Sequence, residues 1–150
     1  MNKNILSLIN SRFQKISEND AIIFKNKSIS YNYLDKQSTK ISNMLTHHGV
    51  KKGDIVIIIS KRNPQLIYSI IGTLKIGAAF LIIDSQQPLT QINHMSSQCP
   101  SNIILLNQDV GYSIPDKLPK GSNIIYMSSV INYSDQLKQE PYITDKDLVY

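Results

Sequence analysis

Apolar residues follow two spacings along this chain, one typical of helices and the other typical of buried strands. In three segments they recur three and four positions apart, which predicts amphipathic helices beginning near Ile5, Tyr31 and Pro64. Elsewhere they form short unbroken runs, which are typical of strands buried on both faces of a parallel sheet. The strands predicted in this way are 55–60, 79–83, 103–106 and 123–127.

The residues that flank the helical segments are ones that begin and end helices. Ser30 is placed to cap the second helix, and Asn63 followed by Pro64 suits the start of the third. Gly49 and Gly77 stand where these two helices end, in positions that favour a left-handed backbone. Both helices are therefore predicted with defined boundaries.

The alternation of strands and helices predicts the fold class. Successive strand–helix–strand units imply right-handed crossovers and an α/β fold of three layers, with a mainly parallel sheet and helices on both faces. Pro88 begins a fourth helix, and two short apolar runs around a polar turn predict a hairpin over 21–30, packed to one side. The length of 150 residues suits one domain.

Composition and charge exclude several classes of protein. The net charge is +5, but the basic residues are mostly lysines scattered along the chain, so we expect no nucleic-acid partner. No apolar run has the length of a membrane span, and residues 1–12 do not have the pattern of a secretory signal. The single cysteine, Cys99, cannot form an internal disulfide. We therefore expect a cytoplasmic protein with no membrane partner.

Few residues have the spacing that catalysis or metal binding requires. The six glycines form no phosphate-binding loop, and His47 and His48 are adjacent on a helix, so they diverge. His94 and Cys99 lie five positions apart with no partner pair, so no metal site is predicted. Asp84 ends a predicted strand, where α/β sheets bind ligands, but a turn-forming carboxylate is the favoured interpretation.

Several short motifs, in order, resemble those of adenylate-forming (AMP-binding) enzymes. Residues 30–34, Ser-Tyr-Asn-Tyr-Leu, resemble the box [T/S]-Y-x-E-L, and residues 49–56 resemble G-V-x-x-G-D-x-V. Residues 74–84 are similar to L-K-A-G-x-A-Y-V-P-I-D of the amino-acid-activating adenylation domains of nonribosomal peptide synthetases. Residues 147–150 resemble the segment before the family's phosphate loop. The matching positions are Ser30, Tyr31, Leu34, Gly49, Gly53, Asp54, Leu74, Lys75, Gly77, Ala79, Asp84 and Pro88.

Three positions depart from the family's pattern. Tyr33 replaces a glutamate that would complete a capping box with Ser30, Ile82 replaces a proline within a strand, and Gln91 replaces an arginine. None of these positions is catalytic in the family, so the departures indicate divergence and not a new chemistry.

The resemblance implies that this chain is the first subdomain of the adenylate-forming fold and is incomplete. The parent enzyme would use Mg-ATP to activate an amino acid, releasing pyrophosphate, and then transfer it to a phosphopantetheine thiol on a carrier domain. The phosphate loop and the lysine-bearing C-terminal domain lie beyond the position that corresponds to Tyr150. The resemblance therefore assigns no catalytic, cofactor-binding or metal-binding residue to this chain and gives its matching residues structural roles.

Three functional hypotheses follow from these observations. The chain is a partial adenylation domain, inactive and poorly soluble by itself; or a docking module that a partner chain completes; or an unrelated small nucleotide-binding α/β domain. Fold-level analogy alone does not decide function. A Thr-Ser-Gly-rich loop followed by Pro-Lys-Gly, encoded downstream of Tyr150, would decide for the first hypothesis.

A valine in place of Gly77 tests the predicted helix end. A β-carbon is strained at positive φ, so Gly77→Val should lower the free energy of unfolding by roughly 1–3 kcal/mol. Denaturant unfolding measures this loss directly. An unchanged midpoint would mean that Gly77 does not adopt the left-handed conformation.

Overall fold

The computed structural model describes residues 5–107 and 114–137, which form four α-helices and six strands. The helices are α1 (Ile5–Lys15), α2 (Tyr31–His47), α3 (Pro64–Lys75) and α4 (Leu89–Gln98). The strands are β1 (Asp20–Phe24), β2 (Lys27–Ser30), β3 (Ile55–Ser60), β4 (Ala79–Asp84), β5 (Ile103–Leu106) and β6 (Asn123–Tyr126). Two 3₁₀ segments, Pro115–Lys117 and Met127–Asn132, flank β6. The predicted order of elements is confirmed.

Four strands form one parallel sheet in the order β4-β3-β5-β6. The register of β3 with β4 is regular along all six residues, from Ile55 beside Ala79 to Ser60 beside Asp84. On its other side β3 pairs with β5, and β5 pairs with β6. The chain thus places β3 inside the sheet and β4 at one edge, and the predicted parallel pairing is confirmed.

Helices cover the sheet on both faces, which confirms the three-layer prediction. Alternate residues of β3 point to opposite faces, so Val56 and Ile58 pack in one apolar cluster and Ile57 and Ile59 in another. The first cluster contains the apolar faces of α2 and α3, and the second contains Ile92 of α4. Residues 56–59 of β3 are completely buried because each face has its own helical layer.

The prediction that residues 79–83 are buried on both faces is wrong. Within the described part of the chain β4 pairs only with β3, and Ile82 is 38% exposed. Phe80 and Leu81 are only partly buried. An apolar run indicates a strand, but it does not indicate how many neighbours that strand has.

The hairpin is a separate two-stranded sheet. β1 and β2 pair antiparallel, and Lys25 and Asn26 form the turn with φ angles of +48° and +60°. Positive φ at both central residues is the geometry of a tight hairpin turn. Ile22 and Ile29 pack against the cluster that holds α2 and α3. The predicted hairpin to one side of the sheet is confirmed.

The predicted helix boundaries are confirmed by their hydrogen bonds and backbone angles. The Ser30 hydroxyl accepts a bond from the Tyr33 amide at 3.2 Å, and the Asn63 side chain accepts one from the Leu66 amide at 3.2 Å. Gly77 follows α3 with φ of +72°. Each helix thus begins or ends at a residue that supplies local geometry or a hydrogen bond.

The helices α2 and α3 approach each other closely at Gly72. A β-carbon built there would lie 2.7 Å from Cγ2 of Ile41 and 2.7 Å from the carbonyl oxygen of Ser38. Both distances are far below van der Waals contact, and the second atom belongs to the backbone of α2. The absence of a side chain at Gly72 therefore sets the spacing of the two helices.

Gly72→Ala should destabilise the protein although alanine favours helices. The new methyl group forces α2 away from α3, at a cost of about 1–3 kcal/mol, as overpacked cores show. Urea unfolding measures the loss in the free energy of unfolding. The control is Lys36→Ala on the exposed side of α2, whose free energy of unfolding should lie within about 0.5 kcal/mol of that of the unsubstituted chain. Equal stability of Gly72→Ala would show that the two helices separate without loss of packing.

Candidate functional site

The carboxyl ends of the parallel strands form the first candidate site. From β3 the chain crosses to β4 on one side, and it later returns to place β5 on the other side of β3. The strand order therefore reverses between β3 and β5. In open α/β sheets, ligands bind at the carboxyl end of such a reversal.

A buried polar network lies at this reversal. Asn107, which directly follows β5 and is 2% exposed, donates from Nδ2 to the hydroxyl of Ser60 at 2.7 Å. The Ser69 hydroxyl of α3 lies 3.2 Å from Oδ1 of Asn107 and donates to it. The backbone N–H of Asn107 also donates to the carbonyl of Ile59 at 3.1 Å. Two strands and a helix are thus joined through one side chain.

The chemistry of this network is that of a scaffold. Its side chains are an amide and two hydroxyls, which carry no charge and do not titrate near neutral pH. The Ser60 hydroxyl donates to the Lys61 carbonyl, and the Ser69 hydroxyl shares its single hydrogen between Oδ1 of Asn107 and the Gln65 carbonyl, so the network is extensively bonded within the protein. It can hold the strand ends in register, but it offers no general acid, base or nucleophile with an activating partner. Its members are distant in sequence, so no motif reveals it.

Asp84 lies at the same edge of the sheet and is used within its own turn. Its Oδ1 accepts a hydrogen bond from the Gln86 amide at 2.9 Å, as the turn-forming interpretation predicts. The next residue, Ser85, donates its amide to the Ser60 carbonyl at 3.0 Å and has a buried hydroxyl with no hydrogen-bond partner among the described residues. Asp84 therefore stabilises the turn that leads from β4 toward α4.

Lys75 forms a second polar centre, between the three helices on one side of the sheet. It is 4% exposed, and its Nζ lies 2.5 Å from Oδ1 of Asp35 and 2.7 Å from the hydroxyl of Thr39. The ammonium also donates to the Asp35 carbonyl and lies 5.3 Å from the ring centre of Phe13. A cavity of about 220 Å³ adjoins this centre. A buried ammonium needs such partners, and Lys75 has them on α1 and α2.

Four of the matching positions meet at the amino end of the sheet. The Gly53 amide donates to the Gly77 carbonyl at 2.9 Å, and the Ala79 amide donates to the Asp54 carbonyl at 2.8 Å. The carboxylate of Asp54 accepts the Lys51 amide at 2.7 Å. These bonds join the turn before β3 to the turn before β4, far from the carboxyl edge.

The remaining matching positions lie on helices or at their ends. Ser30 caps α2, Pro88 precedes α4, and Gly49 follows α2 with φ of +84°. The Tyr31 ring meets the Phe13 ring edge-on, with centres 6.2 Å apart. Two of the matching residues are buried apolar side chains: Leu34 and Leu74. Residues 147–150 lie outside the described residues.

Tyr33, which departs from the family's pattern, is half-exposed and contacts an aromatic ring of α3. Its ring meets that of Tyr68 edge-on at a centre distance of 6.2 Å. Burial and, to a smaller extent, the nearby Tyr33 raise the pKa of Tyr68 to about 12. Tyr68 is therefore neutral throughout the physiological range and acts as a packing residue at this contact.

The histidines and the cysteine lie where their sequence positions indicate. His47 and His48 end α2 with their rings edge-to-face, and Cys99 follows α4 partly buried. In residues 5–107 and 114–137, no three His, Cys, Asp or Glu side chains are grouped closely enough to hold a metal ion. The helices in the same ranges include none with the length and apolar character of a membrane span.

Comparison with known proteins identifies a family that this chain matches along most of its length. The family model described as AMP-binding enzyme matches residues 11–148. Bacitracin synthase 3 of Bacillus licheniformis is 33% identical over 112 residues, which are 73% of this chain and 2% of that protein. The chain thus spans only a small part of this relative.

Solved structures agree with the fold. The N-terminal subdomain of Klebsiella oxytoca NpsA, in complex with 3-hydroxyanthranilyl-AMSN, superposes with a TM-score of 0.83 and 22% identity, covering 98% of this chain and 36% of that one. An artificially fused adenylation–PCP di-domain, NpsA-ThdA from the same organism, gives 0.82 and 24%, covering 98% and 27%. At these identities the likeness establishes the architecture of the chain.

Removal of the Asn107 amide tests the polar network at the carboxyl edge. Asn107→Ala leaves two buried hydroxyls without this partner, so the free energy of unfolding should fall by about 1–3 kcal/mol. Chemical denaturation measures the change, and Asn102→Ala at an exposed position five residues earlier is the control, expected within about 0.5 kcal/mol. If both variants have the same stability, the network does not hold the strand ends.

Proposed function

The chain belongs to the AMP-binding enzyme family, and we propose from this that it forms the N-terminal part of a domain that adenylates an amino acid. In that reaction the substrate carboxylate attacks the α-phosphate of ATP, an acyl-adenylate forms, and pyrophosphate leaves. A thiol of phosphopantetheine on a carrier domain then attacks the acyl carbon, and AMP leaves. The chain would contribute one subdomain to this cycle.

The observation that supports the proposal best is the extent of the family match. It runs from residue 11 to residue 148, so it spans the hairpin, α2 to α4 and the parallel sheet, rather than a single short motif. The relative named above is a synthase, and the chain covers 2% of it. A partial domain accounts for both the long match within this chain and the small share of the relative.

The contacts of the matching residues support a structural role for them. Gly53, Asp54, Gly77 and Ala79 join two turns through backbone bonds, and Lys75 joins helices from a buried position. None of these residues pairs with an activating base or stands at the carboxyl edge. We therefore assign them to holding the subdomain together while other residues of the complete domain bind ATP.

The partners of the chain follow from the same proposal. They are the remainder of the adenylation domain and a carrier domain that bears phosphopantetheine. ATP and its magnesium ion are the substrate of the whole domain, and we assign their binding to the remainder of that domain, because the resemblance places the phosphate loop there. The location that suits ATP-dependent synthesis of this kind is the cytoplasm.

A chimera tests whether this chain can serve as part of an adenylating domain. The chain would replace the segment of bacitracin synthase 3 that it matches, within the single domain that contains this segment, and ATP–pyrophosphate exchange would be measured with each common amino acid. We expect amino-acid-dependent exchange by the chimera and none by the isolated chain, because catalysis needs preorganised groups around the triphosphate. The host domain with the segment deleted is the inactive control.

Three outcomes would contradict the proposal. A chimera that folds, as judged by its unfolding transition, but supports no exchange would show that this chain cannot replace its counterpart. Exchange by the isolated chain, abolished by a substitution within it, would show that it contains a complete active site. Binding of ATP by the isolated chain, without exchange, would favour a small nucleotide-binding domain instead.

A further inference from the structure

The strand β4 has one edge that no described strand pairs with. β4 pairs with β3 along all six of its residues, and in residues 5–107 and 114–137 no strand pairs with its other side. A strand in this position presents a row of backbone donors and acceptors that another strand can bind.

Two backbone hydrogen bonds show which residues of β4 face outward. The amide of Ala79 donates to the Asp54 carbonyl, and that of Ser85 donates to the Ser60 carbonyl, so both point toward β3. Successive residues of a strand alternate in direction, and in a parallel pair each residue directs its N–H and C=O to the same side. The backbone groups at positions 80, 82 and 84 therefore point away from the sheet.

This edge lacks the features that usually prevent association. Sheet edges are commonly protected by lysine, by proline or by a bulge, but β4 has a regular register and no lysine or proline. Ile82 stands where the resembling motif has a proline, whose ring would remove an outward-facing N–H. Ile82 is also 38% exposed. The outward backbone groups at the centre of the β4 edge are thus available to pair with another strand.

An apolar groove adjoins the same edge. It has a volume of about 480 Å³ and lies between β4 and α4, where its walls include Phe80, Leu81, Met95 and Cys99. A strand added beside β4 would lie along the mouth of this groove and remove apolar surface from water, which favours association. Backbone pairing and apolar burial thus both favour association at the β4 edge.

We propose that the edge of β4 binds the β4 edge of a second copy of this chain, antiparallel, about a two-fold axis at Ile82. Ile82 then lies opposite the partner's Ile82, and the two residues exchange both backbone hydrogen bonds. Phe80 lies opposite the partner's Asp84. The arrangement is isologous and therefore closes as a dimer.

Charge favours the antiparallel direction. Asp84 is the one charged residue of β4, and it stands at the carboxyl end. The exposed Lys51 and Lys52 lie in the turn at the amino end, which is joined to β4 through the bond from Ala79 to Asp54. An antiparallel pair brings Asp84 toward the partner's lysine-bearing turn, whereas a parallel pair would bring Asp84 beside the partner's Asp84. Opposite charges attract and like charges repel across such a pair.

Sedimentation velocity of the full chain over a range of concentrations tests the dimer. We expect Ile82→Pro to raise the dimer dissociation constant at least about tenfold, since it removes an outward N–H and no bond to β3. Ile82→Val keeps that N–H and a branched side chain, so it should dimerise like the unsubstituted chain. Far-UV circular dichroism and thermal unfolding show whether Ile82→Pro is folded; if it is not, Ile82→Lys, which opposes two charges at the axis, takes its place.

Amide hydrogen exchange gives a second, residue-level measurement. The amides of Phe80 and Ile82 should become more protected as the chain concentration rises, whereas those of Leu81 and Ile83, which face β3, should be protected at every concentration. A chain that stays monomeric would overturn the proposal. A dimer that persists in the folded proline and lysine variants, or protection of Ile82 that does not change with concentration, would do so as well.

Discussion

The complete burial of the centre of β3 is the constraint on which the rest of this structure depends. Val56 to Ile59 have no exposed surface, and their side chains alternate between the two faces of the sheet. Burying an isoleucine side chain stabilises a fold by roughly 1.5–3 kcal/mol, but only if something covers it. A helical layer on each face is therefore required, and α2 with α3 on one side and α4 on the other provide it. The parallel crossovers place α3 and α4 on opposite faces, and α2 packs beside α3.

Polar side chains buried near this strand have few positions available, and the two central ones, Lys75 and Asn107, are hydrogen-bonded to other side chains. Lys75 reaches Asp35 and Thr39, and Asn107 joins Ser60 to Ser69. A buried polar group without a partner costs free energy, so each such residue requires a particular neighbour on another element. These pairs fix how the helices and strands meet. They give the chain the character of a scaffold, which agrees with the proposal that the reactive groups belong to other parts of an adenylating domain.

The same arrangement leaves the sheet with two edges. β3 and β5 are enclosed by strands on both sides, whereas β4 and β6 each have one strand neighbour among the described residues. All three departures from the family's pattern fall on the surface: Tyr33 meets Tyr68 at the helix surface, Ile82 lies on the open edge, and Gln91 is exposed on α4. Divergence at these positions alters surfaces and leaves the buried strands unchanged. The surface of the subdomain can thus change its associations while its core stays the same.

The sequence by itself determined the elements and their boundaries, because these depend on residues close along the chain. Ser30 and Asn63 accept hydrogen bonds from amides three residues away, and Gly77 takes its left-handed conformation where α3 ends. The unbroken apolar runs indicated strands of a parallel sheet for a similarly local reason. The ordered motifs also gave the family that the comparisons then confirmed.

Only the tertiary structure decided the order of the strands and the contacts across them. An apolar run is the same whether a strand has one neighbour or two, so the edge position of β4 could not be read from residues 79–83. Lys75 meets Asp35 across 40 positions and Asn107 meets Ser60 across 47, and no local pattern marks either partner. The free energy of such contacts depends on where two distant segments pack, and that is set by the whole core at once.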